Sequence, residues 1–482
     1  MATPPVPLPQ SLIDMHCHVF NGSDLPAINF IRRVITQAYS SDPDAISFGL
    51  GLFISLVAGR APTAESELSD ILAGRSTDAA PPPNFASALT AERADLFKWV
   101  ALFSKSRREL IAKLNGFYTA TSNRCELITP ALVDFSTWLS EPDIAGQRLT
   151  DQVAVMGAIS KRPGTPRIHG FVGFDPVRAI LAKLGYNPGN HTSLPVIDPH
   201  KLVHDAVTKH GFLGVKLYPP MGFRAWGNAK GDVPFSLVIK RQITASQTGA
   251  ISDKAVGKMI DAELEKLYRY CADHGVPILA HAYNSNQAEE CTGWRASPQY
   301  WGEVIDAFST PEKPLRLCLG HFGSFSAHEQ FKTCSSFENK AWETIIGGIL
   351  KKDAGKFVFA DLSYLSEVLD TSAAGSTRLK KLATSFNSFI TSYDGGVEHL
   401  CYGSDWNMLG RESGHERYHV AMANFLRDRV GLDAIKLNNV FFTNAVRFLG
   451  LRPGDQARTR LEKFYDDNNI EQYFPKIDPL IA

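Results

Sequence analysis

Short apolar runs with β character recur along the chain, and helical patterns lie between many of them. Several runs are almost continuously apolar, which is typical of parallel strands covered on both faces. The clearest helical pattern covers Ala255–Cys271, where apolar residues form one stripe. Strands that alternate with helices predict an α/β fold, here a distorted (β/α)8 TIM-type barrel. The eight predicted strands are Leu12–Val19, Leu127–Phe135, Ile168–Phe174, Phe212–Leu217, Pro277–Ala282, Leu315–Gly320, Phe357–Leu362 and His399–Gly403.

The spacing of the predicted strands is uneven, and the largest gap follows the first strand. Roughly a hundred residues lie there, although a barrel needs only a helix and two loops. The gap holds an apolar stretch at Phe48–Gly59, a break at Pro81–Pro83 and a helical run at Ala91–Leu114. We therefore expect a mainly helical cap inserted after strand 1. The predicted units are the barrel start at 1–36, the helical cap insert at 37–120, the remainder of the barrel at 121–450 and a C-terminal tail at 451–482 that packs on the barrel.

Composition and missing motifs narrow the classes of fold and function. The 50 basic and 50 acidic residues balance, so the chain lacks the cationic excess of a general nucleic-acid binder. A doubly wound open sheet is the rival fold, but no G-x-G-x-x-G follows the first strand. P-loop and G-x-S-x-G motifs are missing as well. Seven scattered cysteines form no C-x-x-C pair, which favours a reduced, cytoplasmic setting over a disulfide scaffold.

Neither a signal peptide nor a transmembrane segment is expected. The first ten residues contain no basic side chain, unlike a secretory signal. The longest apolar candidate, Phe48–Gly59, is too short for a hydrocarbon core that needs about 20 residues. We expect it to form a buried or lid helix, with contact to a membrane surface as the lesser alternative. The expected partners are a small-molecule substrate and further copies of the chain in a homo-oligomer.

The strongest local signal is the sequence Asp14-Met15-His16-Cys17-His18 at the end of the first strand. Side chains two apart on a strand share a face, so His16 and His18 point together while Cys17 points away. Two convergent imidazoles are a natural pair of metal ligands. An H-x-H sequence alone, however, is weak evidence for a metal site.

Further polar residues fall at the C-terminal ends of later predicted strands. They are Lys216 on the fourth strand, His281 on the fifth, His321 on the sixth and Asp405 after the eighth. A barrel gathers these strand ends at one mouth, which is where barrel active sites are built. A structural histidine or lysine has no reason to choose that location repeatedly. The set therefore indicates a site.

Because these residues occur at strand ends in this order, the sequence resembles the amidohydrolase superfamily, in particular its amidohydrolase-related (amidohydrolase 2) branch. The matching features are H-x-H on strand 1, Lys on strand 4, His on strands 5 and 6, and Asp on strand 8. The closing segment Asn444–Gly450 also looks like that branch. The resemblance runs from about Leu12 to Leu451, with the 37–120 insert outside it. It implies a metal-dependent hydrolase on a barrel.

The resemblance also implies a ligand set for one or two divalent ions. The ligands would be His16, His18 and Asp405 for the more buried ion, and His281 and His321 for a second ion. Lys216 would bridge the two if its amine were carboxylated to a carbamate, whereas an unmodified Lys216 that is ion-paired at the mouth is the alternative. Zn²⁺ is the expected cofactor, although other divalent ions also suit these ligands.

Elementary chemistry supports hydrolysis at such a site. A divalent metal lowers the pKa of bound water from 15.7 to about 7, and Asp405 could take the proton and return it to the leaving group. The expected reaction is cleavage of an amide, cyclic amide or lactone bond in a small, partly apolar molecule. The alternatives are a metal-dependent decarboxylase of an aromatic or related acid, and a non-catalytic metal-binding barrel. Retention of Asp405 is an argument against the non-catalytic barrel.

A literal H-E-x-x-H at His415–His419 is a rival metal motif. On a helix its two histidines would share one face and bind zinc, with Glu416 as the base of a zinc peptidase. The motif follows shortly after Asp405, and no clear third ligand lies downstream. A polar helix at the outside or mouth of the barrel is the favoured interpretation.

Residues that directly follow barrel strands often line pockets. The expected substrate-binding residues are the aromatic Tyr218, Tyr283 and Trp406, and Arg224, whose planar fork suits a substrate carboxylate. Core packing is the alternative for the aromatic residues. The apolar run Phe48–Val57 of the insert is expected to close over the mouth, because so much apolar surface must be buried. A dimer contact far from the site is the alternative.

Overall fold

The computed structural model describes residues 7–26, 59–75, 98–139, 149–186, 196–245, 248–285, 287–289, 291–323 and 341–481. All strands in these ranges are parallel to their neighbours. The strands are β1 (Ser11–Cys17), β2 (Arg124–Pro130), β3 (Arg167–Ile168), β4 (Phe171–Gly173), β5 (Gly214–Leu217), β6 (Ile278–His281), β7 (Leu317–Gly320), β8 (Val358–Asp361) and β9 (Leu400–Cys401).

The strands form two parallel sheets in which the spatial order follows the chain order. One sheet contains β1, β2 and β3, and the other runs from β4 to β9. A bridge between Ala131 and Phe171 links the end of β2 to β4. After β9, the carbonyl of Tyr402 accepts a hydrogen bond from the amide of Met15 at 3.4 Å. The last strand of the second sheet thus lies beside the first strand of the other.

Every predicted strand position contains a strand, but the third is divided. Its first half, β3, pairs with β2, and its second half, β4, pairs with β5. His169 and Gly170 occupy the break between the halves. A side chain at position 170 would meet the Phe212 ring at 2.9 Å and the Pro130 carbonyl oxygen at 3.0 Å. The close approach of these groups explains why glycine stands where the strand changes partner.

Helices follow most strands, which gives a mixed α/β architecture. The α-helices of the described residues are α1 (Ala64–Leu72), α2 (Arg107–Thr119), α3 (Leu149–Ser160), α4 (Pro176–Lys183), α5 (Pro199–Lys209), α6 (Leu237–Thr244), α7 (Asp253–His274), α8 (Pro298–Phe308), α9 (Trp342–Leu350), α10 (Ala373–Tyr393), α11 (Trp406–Leu409), α12 (Tyr418–Phe425), α13 (Ala434–Asn438), α14 (Asn444–Leu449), α15 (Gln456–Asp467) and α16 (Phe474–Ile481). The clearest sequence pattern gives α7, which the Ser252 side chain caps at one end and Gly275 ends at a φ of +55°.

The inner faces of the strands and the C-terminal helices share one apolar cluster. Ile13, Leu279 and Phe359 belong to it together with Phe464 of α15 and Phe474 of α16. The C-terminal helices therefore cover the end of the sheets opposite to the carboxyl ends of the strands. This arrangement leaves the carboxyl ends free to carry polar groups.

Parts of the predicted insert are described, and they contain α1 and α2. Between them, the buried guanidinium of Arg107 donates to Glu67 of α1 at 2.9 Å and to Asp24, which follows β1. An ion pair with both partners buried needs this matched geometry, because an unpaired buried charge is costly. Residues 48–58 and the prolines at 81–83 lie outside the described residues.

No helix of the described residues is both long and apolar enough to cross a membrane. Five cysteines among these residues are free thiols. Cys291, in contrast, is disulfide-bonded, so the expectation of reduced cysteines does not hold at this position.

Candidate metal centre

The histidine pair of the first strand lies at the carboxyl end of β1, with both rings buried. His16 is fully buried, and His18 is 5% exposed. The ring centroids lie 5.6 Å apart. His18 Nδ1 is 2.8 Å from the carbonyl oxygen of Ala131, and since a carbonyl only accepts, Nδ1 is the donor. The lone pair of His18 Nε2 is therefore available to a ligand.

Asp405 faces that available nitrogen. Its Oδ1 lies 3.5 Å from His18 Nε2 and has no hydrogen-bond partner among the described residues. The backbone of Asp405 has a φ of +47°, which is uncommon for a residue other than glycine. Its amide donates to the carbonyl of His16 at 2.8 Å, which fixes the position next to β1. Burial raises the pKa of Asp405 well above its usual range, and the nearby Lys216 opposes this effect.

Lys216 reaches the same centre from β5. Its Nζ lies 2.9 Å from His16 Nε2, and the side chain is 2% exposed. Burial lowers the pKa of Lys216 to about 8, although the carboxylates of Asp361 and Asp405 oppose the shift. An amine with this pKa is more readily deprotonated than an ordinary lysine.

The other two predicted histidines, at the ends of β6 and β7, meet beside His16. His321 Nε2 lies 3.1 Å from His281 Nδ1, and the rings of His16 and His321 have centroids 5.0 Å apart. His321 has a φ of +66°. Burial lowers the pKa of His281 well below its usual value and that of His321 to about 3. These rings are therefore neutral near pH 7, which is the form that ligates metals.

Sequence reasoning missed Asp361, which ends β8 and is fully buried. Its Oδ2 lies 2.9 Å from His16 Nδ1. Burial opposes ionisation of this carboxyl, but the neighbouring His16 and the hydrogen bonds of His16 and Ser363 bring the pKa of Asp361 below its ordinary value. The signal that could have identified it was its place at the carboxyl end of a predicted strand, the criterion that selected the other residues.

Two groups of three ligand atoms within 4.8 Å of one another occur among the described residues. One contains His16, His18 and Asp405, and the other contains His16, His321 and Asp361. Neutral imidazoles and carboxylates are the donors that suit Zn²⁺ and similar ions. The facing acceptors His18 Nε2 and Asp405 Oδ1 also need a cation or a proton between them. The residues present therefore fit a divalent metal.

The predicted substrate-binding residues have different environments. The Tyr218 ring lies 4.4 Å from that of His281, and Tyr283 lies 6.2 Å from His321. Trp406 is 2% exposed, and its ring contacts that of Phe117 in α2. Tyr218 and Tyr283 thus border the histidine cluster, and Trp406 directly follows Asp405.

Arg224 is held by other protein groups. Its two terminal nitrogens donate to the carboxylate of Asp232 at 2.9 and 3.0 Å. Its guanidinium also lies over the Tyr300 ring, 4.7 Å from the centroid. A substrate carboxylate would have to replace Asp232 to use this fork.

The H-E-x-x-H sequence does not form a shared face. His415 lies in a 3-10 turn and binds the carbonyl of Glu412 at 2.9 Å, whereas His419 follows in α12. His419 Nε2 instead lies 2.6 Å from the hydroxyl of Thr121. Neither histidine belongs to a ligand group in the part of the chain that the structure describes. The geometry favours a structural role for this motif.

Comparisons with known proteins give structural likenesses alone. No family model matches the chain, and no curated protein matches it. An amidohydrolase from Burkholderia multivorans with bound HEPES is 12% identical and covers 71% of this chain and 88% of its own, with a TM-score of 0.39. A zinc-bound structure of an amidohydrolase from the same organism is 11% identical over the same shares, with a TM-score of 0.37.

The third similar structure is 5-carboxyvanillate decarboxylase from Novosphingobium aromaticivorans, with bound manganese and 3-methoxy-4-hydroxy-5-nitrobenzoic acid. It is 13% identical, covers 80% of this chain and 92% of its own, and has a TM-score of 0.37. At TM-scores below 0.5, the likenesses add nothing about the reaction, which has to be inferred from the site residues.

Proposed function

We propose that this chain is a metal-dependent hydrolase of the amidohydrolase type on a (β/α)8 barrel. The observation that carries the proposal is the pair of facing acceptors, His18 Nε2 and Asp405 Oδ1, 3.5 Å apart in a buried centre. Two buried acceptors repel each other unless a cation or proton lies between them. The hydrogen bond from Met15 to Tyr402 and the bridge between Ala131 and Phe171 support closure of the two sheets into a barrel.

His16, His18 and Asp405 would hold one divalent ion, with Zn²⁺ as our first choice. His281 and His321 would contribute to a second ion. Such ions supply Lewis-acid activation of water and of the scissile carbonyl group. Lys216 would join the two as a carbamate, and its lowered pKa of about 8 favours that modification because the reaction with carbon dioxide needs a neutral amine.

Asp405 would act as the proton acceptor and donor of the reaction. Its carboxyl is buried beside His18, and its raised pKa suits a group that takes a proton and then gives it up. The amide of Asp405 binds the His16 carbonyl, so the carboxyl keeps its place while the proton moves. Its exposed fraction of 4% excludes bulk water that would compete for the proton.

The substrate would be small and partly apolar, with an amide, cyclic amide or lactone bond. A small cavity beside Lys216 combines the side chains of Trp138, Tyr218, Met221 and Phe223 with the carboxyls of Asp134 and Asp175. Apolar walls with a few placed polar groups are typical of small-molecule sites, and this cavity would have to widen to admit a substrate.

The insert would supply another part of the wall over this site. The indole nitrogen of Trp99 donates to the carbonyl of Asn407 at 2.5 Å, and Phe117 contacts Trp406. Both contacts bring the insert to the segment that follows Asp405. The apolar run Phe48–Val57, which we expect to close over the mouth, lies outside the described residues.

Decarboxylation of an aromatic or related acid is the second candidate. The Lys216 amine borders this cavity, and a buried ammonium there would attract a carboxylate. The two acidic lining residues already have partners, since Asp134 pairs with Arg178 and Asp175 accepts from Thr137 and Trp138. A screen of lactones, amides and aromatic acids separates the two reactions, because hydrolysis adds water to the product and decarboxylation releases carbon dioxide.

Removal of the histidine pair tests the metal centre. His16→Ala combined with His18→Ala should abolish stoichiometric metal, measured by elemental analysis of purified protein, since the ion loses two of its three nearest ligands. The matched control is His415→Ala, which removes a histidine outside both ligand groups and should leave the metal content unchanged. Undiminished metal in the double variant would contradict the assignment, and an empty control variant would favour the H-E-x-x-H motif instead.

A further inference from the structure

Asp361 has hydrogen-bond partners at both of its carboxyl oxygens. Its Oδ1 accepts from the amide of His321 at 3.1 Å and from the amide of Ser363 at 3.0 Å. Its Oδ2 lies 2.9 Å from Nδ1 of His16. Two backbone N–H groups that donate to one buried carboxyl oxygen stabilise the ionised form of the acid, which can only accept.

This geometry determines which nitrogen of His16 carries the proton. Because Oδ2 of an ionised Asp361 can only accept, the proton of a neutral His16 ring lies on Nδ1. The lone pair is then on Nε2, which points at the Lys216 amine 2.9 Å away.

We propose that Asp361 is a positioning residue that fixes His16 as the Nδ1–H tautomer and thereby leaves its Nε2 lone pair available to the proposed metal. It also holds the backbone of His321 through the amide of that residue. Its Oδ1 accepts from two backbone amides and its Oδ2 lies beside the His16 ring nitrogen. In this role Asp361 acts behind the ligands and not as a member of the second ligand group. The effect on metal binding rests on the proposed function, whereas the tautomer does not.

Carboxylates behind ligating histidines have a known physical effect. They fix the ring orientation and raise the basicity of the ligating nitrogen, and their loss typically lowers metal affinity 10- to 100-fold. Ser363 offers a contrast, because its hydroxyl lies 3.0 Å from both His16 Nδ1 and His321 Nδ1. This hydroxyl can donate or accept, so it cannot impose a tautomer.

The variant Asp361→Asn should invert the tautomer. The two amides of His321 and Ser363 still require an acceptor, so the carboxamide oxygen stays with them and the NH₂ group turns to His16. That group donates to Nδ1 and moves the ring proton to Nε2. Nitrogen NMR of metal-free protein labelled at histidine measures this directly, with the His16 signals assigned from His16→Ala.

We expect a protonated Nδ1 in the wild type, a protonated Nε2 in Asp361→Asn and the wild-type pattern in Ser363→Ala. Metal affinity from chelator competition should fall 10- to 100-fold in Asp361→Asn and change less in Ser363→Ala.

A wild-type Nε2–H tautomer overturns the proposal even if the asparagine variant does not fold, and so does an unchanged tautomer in a folded variant. A loss of all binding beyond 1000-fold would instead make Asp361 a direct ligand. If the tautomers are as expected but no metal binds, the proposed function fails while the positioning role stands.

Discussion

The two ends of the strands both contain buried histidines, but these histidines have opposite environments. His169, between β3 and β4, has both ring nitrogens bound, to the carbonyl of Gly211 at 2.7 Å and to the hydroxyl of Tyr465 at 2.6 Å. At the carboxyl ends, His18 Nε2 faces the Oδ1 of Asp405, which has no partner among the described residues. A histidine whose nitrogens are both satisfied stabilises the fold, whereas acceptors that face each other need a further group.

The backbone of the site contains two residues with positive φ. His321 and Asp405 have φ values of +66° and +47°, which cost energy for residues with side chains. Hydrogen bonds of their own amides hold them in this conformation. The His321 amide donates to Asp361, and the Asp405 amide donates to the His16 carbonyl. The comparison teaches that burial alone does not indicate function, whereas two buried acceptors that face each other without a donor between them point to a missing group.

The largest effect in this comparison is expected from the unsatisfied carboxyl. Asp405→Asn should keep the fold and reduce turnover by about 10²–10⁴-fold, the usual cost of removing a general base. Turnover is measured on the best substrate of the screen, and circular dichroism checks the fold. Near-native turnover would exclude the proton-transfer role. Metal loss in the same variant would show that ligation and catalysis depend on the same carboxyl.

The order of the strands was predictable from the sequence because each buried strand gives a compact apolar run. The division of the third strand could not be predicted in this way. Its division at His169 and Gly170 depends on the contact with the Phe212 ring, which a one-dimensional pattern does not contain. The described parts of the insert are helical, but their attachment through Arg107 depends on acids distant in sequence.

The site was predictable to the extent that its residues end strands. The structure brings His16, His18, Lys216, His281, His321 and Asp405 together at one end of the sheets. Asp361 satisfies the same criterion but belongs to no motif, and its role depends on which donors surround it. The partner of Arg224, Asp232, depends on the conformation of the loop after β5, which the sequence does not specify.

The second prediction concerns the satisfied histidine. Burial lowers the pKa of His169 to about 4, so below pH 6.5 the unfolded chain binds a proton that the folded chain does not. The stabilisation is present above pH 6.5 and decreases as the pH falls towards 4, by about 3 kcal/mol. His169→Gln cannot titrate, so its unfolding free energy should change less between pH 7.5 and 4.5.

Urea unfolding at the two pH values measures this difference. The contributions of the other histidines to the pH dependence cancel, because both proteins contain them. Metal content at neutral pH should be the same in His169→Gln as in the wild type. An equal pH dependence in the two proteins would show that His169 is not held neutral.

The smallest effect is expected at Tyr473, on the same end of the molecule as His169. Its hydroxyl lies 2.6 Å from both the backbone oxygen and the Oε2 of Glu126. Tyr473→Phe removes this hydrogen bond but leaves Glu126 with the Ser11 hydroxyl at 3.2 Å and the Arg124 guanidinium at 2.7 Å. Because the carboxylate keeps partners, the loss of unfolding free energy should be about 1 kcal/mol. Urea unfolding measures this loss, and metal content and turnover should not change, since the hydroxyl lies among the groups that stabilise the fold. A decrease in either would mean that the two ends of the strands are energetically coupled.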